Sequence, residues 1–315
     1  LGQQLQRGIN PMSIPSKLSS SRPLDRLWRL LVILPPYFWL LVFFLAPFAI
    51  VLKISFADPI IAMPPFSPLI NPAENGKPWL LVTLDNYRFL IEDKLYWISY
   101  LKSIKVAFIS TLLCLLLGYP MAYGMARAKP AVRNFLLLLI ILPFWTSFLL
   151  RVYAWIGMLG KNGIINNMLS SLGLIDAPLE MLYTDTAVYI GIVYTYIPFM
   201  ILPLYATLEK LNLDFHEAAE DLGAKPWQVF IDVTLPLSMP GIIAGSLLVF
   251  IPALGEYVIP ALLGGIDSLM IGRTLYDEFF VNRDWPLASA VATVLLLIIV
   301  IPIMLFQRSQ QEDLQ

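Results

Sequence analysis

Six apolar runs of bilayer-crossing length constrain this chain more than any other feature. They are Leu30–Leu52, Ile104–Ala126, Phe135–Met158, Ala187–Leu208, Gly241–Leu263 and Ala288–Phe306. A helix needs about 20 mostly apolar residues to cross a hydrocarbon core. The expected fold class is therefore an all-α membrane protein with six transmembrane helices. The fifth run is the least regular, since Pro252, Gly255 and Pro260 interrupt it. Prolines also punctuate the others, among them Pro35, Pro36, Pro120, Pro143, Pro198 and Pro302. Membrane helices tolerate them where neighbouring helices or a cavity satisfy the freed carbonyls.

Composition agrees. Of 315 residues 58% are hydrophobic and only 14% charged, against about 25% charged in soluble domains. The net charge of −1 gives nucleic acid no electrostatic footprint. The lone cysteine, Cys114, excludes a disulfide framework, and the lone histidine, His216, leaves no ligand pair for a structural zinc. No metal site is expected. Met12 is read as the native start, so Leu1–Pro11 stays outside the fold reasoning. The run from Leu30 is too long for a cleavable signal peptide.

Lys/Arg in short flanks set orientation. Arg22, Arg26 and Arg29 precede the first run, and Arg127, Lys129 and Arg133 follow the second. Both regions are expected in the cytoplasm, with both termini. The outer loops are then Ala57–Ser103, Leu159–Thr186 and Gly264–Leu287. One inner loop breaks the rule. Between Glu209 and Met239, two lysines face Glu209, Asp214, Glu217, Glu220, Asp221 and Asp232.

That loop has its own local code. Asp214 is positioned to cap a helix, with Glu217 reaching back to it. Gly223 sits where a left-handed residue would end that helix, and Pro226 suits the first turn of a second. The loop is expected to fold as two short helices at the membrane surface. On local physics alone it also reads as an ordinary connection.

Glu217-Ala218-Ala219, three residues, Gly223, nine residues and Val233-Thr234-Leu235-Pro236 together resemble the EAA signature of ABC-importer permeases. Val233 replaces the usual isoleucine. Leu142–Trp155, Ala187–Phe199, Phe250–Pro260 and Glu278–Trp285 resemble the permeases of polyamine (putrescine/spermidine) import systems, and the likeness covers all but the first ~28 residues. It implies a type I ABC importer permease (MetI-like) fold. Residues 1–28 would be a cytoplasmic segment and 29–98 the first span with its outer loop. Residues 99–307 would be the permease core with coupling loop 214–236, and 308–315 a cytoplasmic tail.

The likeness also implies a mechanism. Glu217, Ala218, Ala219 and Gly223 would dock on a separate ATPase, to which we add Trp227 and Phe230 as apolar knobs. The chain has no phosphate-binding G-x-x-x-x-G-K-[ST] of its own. ATP and magnesium would be bound by the partner, and no cofactor or enzyme activity is expected here. Implied partners are two copies of the ATP-binding subunit, a second homologous permease, a periplasmic polyamine-binding protein and membrane lipid. The expected location is the bacterial inner membrane.

For the solute, Glu256 is the one acid well inside a run, and an intramembrane acid marks a functional site by default. Tyr257, Trp145, Tyr153 and Tyr194, with Trp155 and Tyr196, would add cation–π contacts of about 0.5–2 kcal/mol each. The competing reading pairs Glu256 with Arg151 as a buried ion pair without a ligand. Sulfate, iron and thiamine permeases share the docking signature, so they remain alternatives for the solute. An ion-coupled secondary transporter would call for several intramembrane acids and repeated halves; the sequence has one such acid and no convincing repeat.

Overall fold

The computed structural model describes residues 23–68, 70–71, 79–80, 82–212 and 214–312. The chain divides into two units, Leu1–Ile50 and Val51–Gln315. In the first lies α1 (Pro23–Leu40), followed by a π-turn at Leu41–Leu45 that leads into α2 (Ala46–Ile54). Within this apolar stretch Trp39 and Phe43 pack ring to ring, 4.1 Å between centroids.

The second unit opens on a loop with a two-residue antiparallel hairpin, Ile70–Asn71 against Trp79–Leu80. Then come α3 (Asp85–Glu92) and α4 (Lys94–Arg127). Asp93 starts α4 as an N-cap, its Oδ1 accepting from the Leu95 amide at 2.8 Å. Pro130 opens α5 (Pro130–Ile141), which runs into a 3₁₀ turn at Leu142–Trp145. Beyond it lie α6 (Phe148–Leu159), α7 (Ile164–Ser171) and α8 (Asp185–Leu208). The surface pair α9 (Asp214–Asp221) and α10 (Pro226–Val229) leads through a π-turn and α11 (Leu235–Leu237) into α12 (Met239–Leu254). The chain ends with α13 (Val258–Leu263), α14 (Ile271–Tyr276) and α15 (Trp285–Glu312).

Three helices, α4, α8 and α12, pack against one another as the centre of this unit. Met200, Ile201 and Leu204 of α8 are buried with Cys114 and Tyr119 of α4 and Val249 of α12. Toward the other end Val106, Val152, Ile192, Leu254, Ile259 and Leu263 form a second cluster, which brings α6 and α13 onto α8. Tyr96, Tyr100, Ile271 and Val291 form a third, tying α4 to α14 and α15. Lipid tails are as apolar as these side chains, so close packing and internal hydrogen bonds hold such helices together. The Tyr100 hydroxyl, for example, donates to the Val291 carbonyl at 2.7 Å.

The six expected spans differ in form. By length and composition three described helices can cross a bilayer: Leu31–Ile54, Lys94–Arg127 and Asp185–Leu208. Two more crossings exist only as bent pairs, Pro130–Trp145 with Phe148–Ser171 at 93° and Pro226–Leu237 with Met239–Leu254 at 63°. The third run is thus no straight helix. Pro143 has no amide proton to donate, the backbone tightens to 3₁₀, and Thr146 caps the freed end by donating to the Pro143 carbonyl at 2.8 Å. The fifth run breaks after Leu254 rather than continuing to Leu263. The sixth run lies wholly within α15, one continuous helix over Trp285–Glu312.

Candidate functional site

The loop after α8 folds as two short helices around a tight turn. α9 ends in a paired-bond cap. The Ala224 amide reaches back to the Ala219 carbonyl at 3.1 Å, and the Gly223 amide to Glu220 at 2.8 Å. This Schellman geometry needs a left-handed residue, and Gly223 supplies it at φ +85°. The start differs from the expected capping box. Asp214 lies inside the first turn, and Asn212 serves it: Asn212 Oδ1 accepts from the Asp214 amide at 3.1 Å, while Asn212 Nδ2 donates to Asp214 Oδ2 at 2.8 Å. Residue 213, the position between them, is outside the described residues. At α10 Gln228 Oε1 accepts from the Lys225 amide at 2.8 Å, while Pro226 fills the first helical position.

Of the six residues expected at an ATPase, Glu217, Ala218 and Gly223 are exposed, and Ala219 is half-buried. Trp227 projects with 60% of its surface open. Phe230 is 36% exposed. Its ring meets Tyr119 and Tyr123 of α4 edge-on, at 5.6 and 6.2 Å, in the π-turn that joins α10 to α11. It fastens the loop to the membrane body. His216 is also part of that fastening. Its Nε2 lies 3.0 Å from Arg127 Nη2 and 2.9 Å from Thr234 Oγ1. Arginine only donates, so this nitrogen is the acceptor. The loop is thereby tied to the end of α4 and to the π-turn leading into α12. No signal in the sequence pairs His216 with a residue 18 positions on.

The second candidate region is the break after α12. Glu256 is buried, and its carboxylate is shared between two tasks. Oε1 accepts from the amides of Val258 and Ile259 at 3.0 and 3.3 Å, capping α13. Oε2 accepts from the Tyr196 hydroxyl of α8. Among the described residues no salt bridge joins Glu256 to Arg151, so the expected alternative of a buried ion pair is not formed. Two amides and a hydroxyl hold this carboxylate in place without Arg151. Arg151 instead lies over Phe144 and Phe148, at 6.0 and 5.9 Å from their centroids. Its Nε and Nη1 are buried without an acceptor.

Gly272 covers the break from the other side. A Cβ there would stand 2.4 Å from the Gly255 carbonyl and 2.7 Å from that of Glu256. Only glycine lets α14 lie this close.

The expected aromatics do not converge. Tyr257 stacks on Tyr276, with centroids 4.0 Å apart and planes 15° apart. Tyr194 meets Trp155 edge-on at 5.4 Å. Trp145 and Tyr153 are more than half exposed. Tyr196 touches Glu256, the contact that spacing along one helix does not reveal. Between α14 and α15, Glu278 is buried, accepting from Tyr96 at 2.7 Å and from Asn282 at 2.8 Å. Beside it, burial lifts the Asp284 carboxyl above its usual range, and the nearby Glu278 adds to the rise while the Leu287 amide opposes it.

Residues 114–311 match the family described as the inner membrane component of binding-protein-dependent transport systems. The chain is 41% identical to the spermidine/putrescine transport system permease protein PotB of Haemophilus influenzae over 273 residues, covering 87% of this chain and 91% of that one. The PotB of Escherichia coli is 43% identical over 232 residues, 74% of this chain and 84% of its own length. The fold resembles a chain of a bacterial alginate ABC transporter crystallised with its alginate pentasaccharide-bound periplasmic protein. There the TM-score is 0.65 and the identity 19%, over 90% of this chain and 95% of that one.

Proposed function

The chain belongs to the family of inner membrane components of binding-protein-dependent transport systems, and on that premise we propose that it is the permease subunit of an ATP-driven polyamine importer. It is a multi-pass inner-membrane protein with the type I ABC importer permease (MetI-like) fold. The observation that carries the proposal is the likeness to two spermidine/putrescine permeases over most of the chain. The exposed EAA helix, closed by its left-handed Gly223, supports the coupling half of it.

In this reading the α9–α10 pair docks on a separate ATPase. Glu217 meets a cation there, and Ala218 and Ala219 permit close approach. Trp227 is the apolar knob of that contact, and Phe230 stays with the permease. ATP and magnesium belong to the partner, present in two copies, and this chain contributes no catalysis. A second homologous permease completes the path, and a periplasmic protein delivers the polyamine. The charge rule, applied to Arg127, Lys129 and Arg133, supports a cytoplasmic docking side and cytoplasmic termini.

For the solute, we assign Glu256 and Tyr257 to the wall of the path. A carboxylate in an irregular stretch of a span is the expected counter-charge for a cationic amine. The test is ATPase activity of the complete complex, reconstituted with its binding protein. Putrescine or spermidine should stimulate hydrolysis; activity that responds to neither overturns the assignment.

A further inference from the structure

A groove of about 610 Å³ runs between α4, α5 and α8. Its lining carries no charged side chain, and the Tyr194 hydroxyl is its single polar group. An amine with several positive charges finds no counter-charge there, so the groove does not suit the cargo. Along α5 the lining follows one helical face, Val132, Leu136 and Leu139, and Pro143 of the 3₁₀ turn extends it. On α4 the facing positions include Gly124, where an added Cβ would meet nothing within 4 Å.

A cluster of cations stands at one end of the groove. Ala128 and Val132 line that end. Around them stand Arg127, Lys129 and Arg133, three cations within seven residues of chain. Arg133 is taken by Glu209 at 2.7 Å. Among the described residues Arg127 bonds only to the acceptor nitrogen of His216 and to the face of Tyr123, neither of which carries a negative charge. Lys129 is exposed and meets no carboxylate among the described residues. The mouth therefore holds two cations with no carboxylate partner among the described residues, beside a slot lined almost wholly by apolar side chains.

We propose that this groove holds an anionic phospholipid, one acyl chain lying between α4, α5 and α8 and the phosphate meeting Lys129 and Arg127. Three observations converge on that occupant. The slot lies in helices that cross the membrane, its walls match a hydrocarbon chain, and its open end offers the charge a lipid phosphate seeks. Basic pockets between membrane helices on the cytoplasmic side select anionic headgroups for this reason. The proposal is independent of the transported solute, because it concerns what fills the flank of the bundle.

The test uses the whole transporter in nanodiscs containing a photoreactive phosphatidylglycerol with the reactive group on its acyl chain. The label should fall within 120–143 or 194–201, and unlabelled phosphatidylglycerol should compete better than phosphatidylcholine. Lys129→Gln should reduce that preference by about fivefold, the worth of one cation near a membrane surface. Gly124→Leu should abolish labelling while the complex still assembles. Equal competition by both lipids, or labelling unchanged in Gly124→Leu, overturns the proposal. So does efficient crosslinking of Gly124→Cys to the second permease, since a protein helix would then fill the slot.

Discussion

The hydroxyl of Tyr196 on α8 donates to Oε2 of Glu256, and the other oxygen of the same carboxylate caps α13. One buried acid thus joins two helices across a break in a third. Tyr196→Phe removes the donor and leaves that oxygen with no partner. The cost should be about 1–3 kcal/mol, the usual penalty for an orphaned buried acceptor. A lower thermal midpoint of the purified complex is the measurement. Glu256→Gln should act differently. Its side-chain oxygen can still cap α13, so stability should fall less, while polyamine-stimulated ATPase activity should drop. Full-rate transport by assembled Glu256→Gln would remove Glu256 from the path.

Trp227 and Phe230 stand three residues apart but should part company on mutation. Phe230→Ala empties the edge-on contacts with Tyr119 and Tyr123, which should destabilise the chain by about 1–3 kcal/mol. Trp227→Ala removes an exposed ring and should leave stability within about 0.5 kcal/mol of the parent. Its loss should appear in co-purification of the ATPase. A Trp227→Ala chain that retains its ATPase at full yield contradicts the docking role.

Gly223→Val forces a β-branched residue into the left-handed region, at a cost of about 1–2 kcal/mol. The strain falls on the end of α9 and should misalign Glu217. Transport should decrease while basal ATP hydrolysis persists. Gly223→Asn, which tolerates the conformation better, should recover much of the coupling. Equal defects in both variants would show that the backbone angle is not what matters.

Gly272→Ala places a methyl group against two backbone carbonyls, which cannot rotate away as a side chain can. Overpacking of this kind costs about 1–3 kcal/mol. The expected result is a chain that assembles poorly at 37 °C and better at lower temperature, read from the yield of intact complex. Normal yield and midpoint would show that α14 can shift without loss.

Asp284 gives a pH test. Its carboxyl is raised in the folded chain, so the folded state holds that proton more tightly than the unfolded one. The stability this provides is complete below the unfolded value, about 3.9, and is lost as pH rises through the folded value. Asp284→Asn keeps an acceptor for the Leu287 amide at α15. It should therefore stabilise the chain at neutral pH and reduce the fall in thermal midpoint between acid and neutral buffer. An unchanged slope would show that the burial of this group is unimportant.

The sequence was most informative where physics is local. Long apolar runs, the glycine ending α9 and the proline opening α10 each act through their own backbone, and each is visible in a few letters. Breaks were harder to place. Pro143 bends its run by a right angle, whereas the central prolines of α8 leave it continuous, with Thr207 donating to the Pro203 carbonyl at 3.0 Å. The difference lies in what surrounds each proline. Pairings across helices were not legible at all. Arg151 looked like the partner of Glu256 because both are ionised groups at similar depth, but the tyrosine hydroxyl and two backbone amides satisfied that acid first. His216 and Phe230 were read from exposed-loop character, and their contacts lie on α4, far away in sequence.

The 63° bend between the surface helices and α12 has a mechanical consequence. An arm set at an angle to a shaft is a crank: sideways displacement of the arm becomes rotation of the shaft. Phe230, within the arm, and His216 hold it against α4, while Trp227 near its start faces solvent. At the far end of the shaft is the Glu256 joint, held by one hydroxyl and two amides. A rigid straight helix would carry the same push along its axis and leave that joint unturned.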